Sequence, residues 1–111
     1  MLYKFKSKST GDVIMLQPSG RRVLEIMGKD TRPGSGDQGI ILPADMPAAI
    51  AALEAAIAQE EGERQAALAA ALARQDKPPR FEAISLKQRA LPMIDMLRRS
   101  LQEGHEVVWG V

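Results

Sequence analysis

Apolar and polar residues alternate at the start of the chain. Leu2 to Lys6 reads Leu-Tyr-Lys-Phe-Lys, so Tyr3 and Phe5 share one face and Lys4 and Lys6 the other. That is the period-two pattern of a half-buried strand, and lysines on its open face discourage edge pairing. Ser7 to Gly11 is polar and turn-like. From Asp12 to Gly28 two patterns compete. Val13-Ile14-Met15-Leu16 fits a short buried strand, whereas Val13, Leu16, Gly20, Val23/Leu24 and Met27 keep helical spacing. Pro18 disfavours α geometry at Gln17. The favoured reading is a helical turn over residues 12–16, a break near Pro18, and a helix to about Met27 closed by Gly28.

Residues 29–39 contain Pro33 and three glycines and read as a flexible loop. Ile40-Ile41-Leu42 is a brief strand stopped by Pro43. The stretch from Pro43 to Ala73 then organises the chain. Alanine fills about half of it, and Met46, Ile50, Leu53 and Ile57 lay a narrow apolar stripe along one helix. Asp45 suits the N-cap and Pro47 the first turn. Glu60, Glu61 and Arg64 interrupt the stripe before Leu68 and Leu72 resume it. A helix over residues 46–74 would run about 43 Å, longer than the roughly 35 Å width of a domain this size. Either it breaks near Gly62 or its second half protrudes and needs a partner.

Residues 75–84, with Pro78-Pro79, read as a flexible connector. Ser85 is a good N-cap for a last helix whose stripe is Leu86, Ala90, Ile94, Leu97 and Leu101. Pro92 lies inside that helix and should bend it, and Gly104 ends it. Glu106 to Val111 reads as a terminal strand with Val107 and Trp109 on one face. Pairing the first and last strands ties down both chain ends. The expected fold is therefore α+β, one domain over residues 1–111. It has a small sheet of N-terminal, short middle and C-terminal strands covered by helices, and the Ala-rich and C-terminal helices form an antiparallel hairpin.

The opening MLYKFKSK with GDVIML, the block ILPADMPAAIAALEAAI, the helix SLKQRALPMIDMLRRS and the closing VVWGV resemble a family of short bacterial, mainly proteobacterial, proteins that form a domain of unknown function. The resemblance covers nearly the whole chain. It implies a cytoplasmic bacterial protein and supplies no activity, cofactor or catalytic residue.

Composition narrows the chemistry. The chain has no cysteine, which removes disulfides, thiolate zinc sites and thiol nucleophiles. No apolar run approaches the roughly 20 residues that span a bilayer, and the N-terminus lacks the apolar core of a signal peptide, so a cytoplasmic protein with no membrane partner is expected. The net charge of +1 argues against wholesale nucleic-acid binding. That average hides basic first and third segments around an acidic middle. Packing of oppositely charged elements within one fold is the simplest account, and a bipolar surface that recruits a charged partner is the sharper one.

His105 is the only histidine, flanked by Glu103 and Glu106. One His and two glutamates make neither a metal shell nor a nucleophile, base and orienter set, so no catalytic residue, metal or cofactor is assigned. A buried polar pocket around Ser7, Thr10 or His105 would reopen the enzyme reading. Glu60, Glu61 and Glu63, with Asp45 and Glu54 upstream, read as a solvated acidic face. Ser19, Arg21 and Arg22 are candidates for holding an anion at a helix start, and Arg98 and Arg99, with Lys87, Arg89 and Arg80, for a basic strip. The leading expectation is a non-enzymatic module that self-associates or binds a protein through its helices, with Leu68 and Leu72 on the contact surface. The alternative is a small protein that binds an anionic ligand or nucleic acid through its arginines.

Overall fold

A computed structural model describes residues 2–29, 38–77 and 85–110. Most of the expected loop 29–39 and connector 75–84, including Arg80, therefore lies outside the described residues. Four strands and three helices follow in the order β1 (Leu2–Ser7), β2 (Thr10–Leu16), α1 (Gln17–Ile26), β3 (Gly39–Ile41), α2 (Met46–Ala73), α3 (Leu86–Glu103) and β4 (Val107–Trp109). The sheet is antiparallel throughout, ordered β2-β1-β4-β3. The α+β class with a small helix-covered sheet is the one expected.

The chain ends pair as expected. Phe5 lies opposite Trp109 and Ser7 opposite Val107, so β4 enters the middle of the sheet between β1 and β3. Alternation then sends Tyr3, Phe5, Met15, Ile41, Val107 and Trp109 to one buried face. There they meet Val23 and Leu24 of α1, Met46, Ile50 and Leu53 of α2, and Met93, Met96 and Leu97 of α3. The Phe5 and Trp109 rings meet at 5.9 Å, tilted by 53°, a separation within the range of favourable aromatic pairs.

Two glycines set how closely these rings lie against backbone. A Cβ on Gly20 would fall 2.7 and 2.8 Å from Cγ and Cβ of Tyr3, and one on Gly39 would fall 2.6 and 2.8 Å from the Trp109 indole. No neighbouring side chain fits at either place.

Two expectations are corrected, and a third is refined. Residues 12–16 are strand, not a helical turn, because Val13 to Leu16 pair with Phe5 to Leu2 in register and the ladder satisfies their backbone groups. α1 therefore starts at Gln17, with Pro18 in the first turn where its missing N–H costs nothing, and there is no break at the proline. Asp45 stands at the N-cap of α2 without a side-chain cap hydrogen bond. Pro43–Asp45 is instead a turn of 3₁₀-helix leading into α2.

α2 runs unbroken through Gly62, and its 28 residues span about 42 Å. The molecule measures 51 × 29 × 22 Å with a radius of gyration of 16.0 Å, against about 13 Å for a compact chain of this length. α3 is likewise continuous through Pro92.

Candidate functional site

The helical hairpin is the surface on which most of the candidate residues fall. α2 and α3 run antiparallel, held in register by Arg98 against Glu54 at 2.6 Å, Lys87 against Glu61 at 3.8 Å, and Leu86 N–H against Glu60. The two ion pairs are more than half exposed in places and contribute little. They bracket a shallow groove of about 240 Å³ floored by Ile57, Leu91 and Ile94.

Because Leu86 sits opposite Glu60, α2 overhangs the start of α3 by 13 residues, or about 20 Å. Leu68 is 38% and Leu72 is 74% exposed on that overhang. At 100° per residue, Leu68 returns to the face of Ile50 and Ile57 while Leu72 lies at its margin. The buried stripe of α2 therefore continues past the hairpin. Ala71, four residues after Ala67, is buried there.

Glu60 departs from the solvated face expected of the acidic residues. Its Oε2 accepts a 3.0 Å hydrogen bond from Leu86 N–H and its Oε1 one of 3.3 Å from Arg64. α3 thus begins with two caps. Ser85 and Gln88 form a reciprocal capping box, and Glu60 adds a carboxylate from another helix, where the helix dipole favours negative charge. Its sequence signal was its position three residues after Ile57, on the stripe itself.

The arginine candidates separate into two groups. Arg98 is engaged by Glu54, and Arg99 by Asp95 at 3.2 Å. Ser19, Arg21 and Arg22 lie on α1, Ser19 and Arg21 half-buried and Arg22 exposed. Ser19 is not a cap but the third residue of the helix, and neither Arg21 nor Arg22 forms an ion pair among the described residues.

A polar cluster that spacing did not reveal lies where the β1–β2 turn meets the end of α3. Ser7 Oγ and Ser100 Oγ share a 2.6 Å hydrogen bond, and Ser100 is the buried polar residue among those described. Ser9 N–H donates to Ser7 Oγ at 3.2 Å, and Ser9 Oγ lies 2.8 Å from His105 Nδ1. Glu103 Oε2 is 3.9 Å from the same nitrogen. A serine, histidine and carboxylate relay needs nucleophile and carboxylate on opposite ring nitrogens. Here both approach Nδ1, so the cluster joins turn to helix rather than activating a hydroxyl. Thr10 turns away, donating to Gly11 O. Among the described residues no three His, Asp or Glu groups converge as a metal site, and no helix is long and apolar enough to cross a membrane.

The domain of unknown function DUF1840 matches residues 1–109, and the chain belongs to that family. No curated protein matches it, and no solved structure does.

Proposed function

With a family that carries no activity to transfer, we propose that this chain is a non-enzymatic cytoplasmic module acting through self-association or through contact with another protein. The overhanging part of α2 is its contact surface. The observation that carries this reading is the 20 Å overhang with Leu68 and Leu72 exposed along it. Apolar residues that resume on the same helix beyond the hairpin suit a second contact surface.

Light scattering across concentration, with Leu68→Glu/Leu72→Glu as the comparison, tests it. The wild-type chain is expected to weigh more than one protomer or to retain a partner from native lysate, and the double variant to lose that behaviour. A variant indistinguishable from wild type in both assays sinks the reading.

A second reading, an anionic ligand held by Ser19, Arg21 and Arg22 at the first turn of α1, draws support from the two arginines having no ion pair among the described residues. Arg98 and Arg99, already engaged, would have to exchange partners to join it. Salt-dependent binding of inorganic phosphate that disappears in Arg21→Ala/Arg22→Ala is its signature; no response to phosphate rejects it.

A further inference from the structure

We propose that two copies of this chain pack hairpin against hairpin, forming a four-helix bundle whose two-fold axis runs along the groove between α2 and α3. The inference goes beyond the α2 overhang and rests on the charge pattern of the hairpin instead.

The charges that bracket the groove are sorted by helix. Glu54 and Glu61 stand on α2, and Arg98 and Lys87 stand opposite them on α3. Both acids therefore lie on one wall and both bases on the other, at two matched levels. Each side chain stays half or more exposed, from 50% for Glu54 to 59% for Arg98, so pairing within the chain leaves room for a second partner at each. Between the two levels the surface is apolar. Leu91 rises from α3, 47% exposed, while Ala58 on α2 is exposed and small, and both line the groove. One wall thus offers a knob and the other a hole.

Symmetry selects a second copy as the occupant. A two-fold axis parallel to the helices keeps every residue at its own level and exchanges the two walls. α2 then lies antiparallel to α3 of the second copy. Glu54 faces Arg98 of the partner subunit, Glu61 faces the partner's Lys87, and Leu91 comes over the partner's Ala58. Each contact occurs twice, as an isologous interface requires, in the antiparallel arrangement of an ordinary four-helix bundle. An axis across the helices would set α2 on α2, glutamate against glutamate, and the same charges disfavour it. A partner of uniform charge is attracted by one wall and repelled by the other. The sorted pattern is complementary to itself. Exposed ion pairs contribute little singly, so the charges fix partner and orientation while the apolar floor around Leu91 supplies the burial.

Sedimentation velocity of the full chain and two charge variants, over a range of concentrations, tests the proposal. The wild-type chain is expected to dimerise. Glu54→Lys/Glu61→Lys makes both walls basic, and Lys87→Glu/Arg98→Glu makes both acidic. Each variant alone should show a dimer Kd raised by about tenfold or more, and an equimolar mixture of the two should recover the dimer as a heterodimer. A wild-type chain that stays monomeric overturns the proposal, as do variants that dimerise like wild type or a mixture that stays monomeric. A dimer that ignores both charge variants but is lost in Leu68→Glu/Leu72→Glu rejects the groove and leaves self-association to the overhang. Native Trp109 emission establishes that each variant folds. If either does not, ionic strength and Leu91→Glu decide: a wild-type dimer indifferent to salt, or one that Leu91→Glu leaves intact, rejects the interface, and a dimer weakened by both supports it.

Discussion

Glu60 Oε2 accepts a 3.0 Å hydrogen bond from Leu86 N–H, so a side chain near the middle of α2 caps the first turn of α3 from 26 residues away. The bond fixes where the hairpin starts, and therefore how much of α2 is left overhanging. Removing it leaves a helix-start N–H to water alone. Glu60→Ala should cost about 1–2 kcal/mol in a urea melt. Glu60→Gln should recover part of this, since its amide oxygen still accepts but brings no charge to the helix dipole or to Arg64. Equal loss in both variants would mean the hydrogen bond itself contributes nothing.

Ser7 and Ser100 act as a unit. Ser100 is fully buried, and Ser7 is its hydrogen-bond partner at 2.6 Å. Ser7→Ala should cost about 1–3 kcal/mol by stranding a buried hydroxyl. The double alanine variant should be clearly less destabilised than the sum of the two singles, because neither polar group then remains unpaired. Additive losses in the double-mutant cycle would show that the two hydroxyls are not coupled.

Trp109, 2% exposed, lies against Phe5 at the last position of β4. Its native emission should be blue-shifted and move red on unfolding. Trp109→Ala should cost roughly 3–5 kcal/mol, a large share of the stability of a domain this small. A chain ending at Gly104 loses β4 from the centre of the sheet and should fail to fold, which circular dichroism would register directly.

Two glycines should answer oppositely to alanine. A Cβ at Gly62 meets nothing, and Gly62→Ala in mid-helix should stabilise by roughly 0.5–1 kcal/mol. At Gly20 the methyl would press on Tyr3, and Gly20→Ala should destabilise by about 1–3 kcal/mol. Thermal melts of the two variants should move in opposite directions. A shift of the same sign would mean that the Tyr3 ring yields freely or that the overhang resists continuous helix.

By itself the sequence determined what is set by neighbours within a turn or a pleat. The alternation of Tyr3 and Phe5 against Lys4 and Lys6 specifies β1. Ser85 with Gln88 starts α3, and Gly28 and Gly104 close α1 and α3 at positive φ. The stripes of α2 and α3 specify their hairpin, and apolar patterning at both ends specifies a sheet joining them. Each of these is local chemistry, legible in a window of a few residues. Residues 12–16 satisfied two periods at once, so only pairing with β1 could choose the strand. Tertiary structure alone decided the rest. Gly62 is compatible with break or continuation, and α2 continues. Glu60 becomes a cap only once Leu86 is brought beside it, and Ser7 meets Ser100 across 93 positions. The exposed corner of Leu2, Ile14 and Leu16 exists because β2 falls at the sheet edge and the helices cover only the other face. Strand order and layer assignment follow from which distant surfaces bury the most apolar area together. That quantity belongs to the assembled chain and to no segment of it.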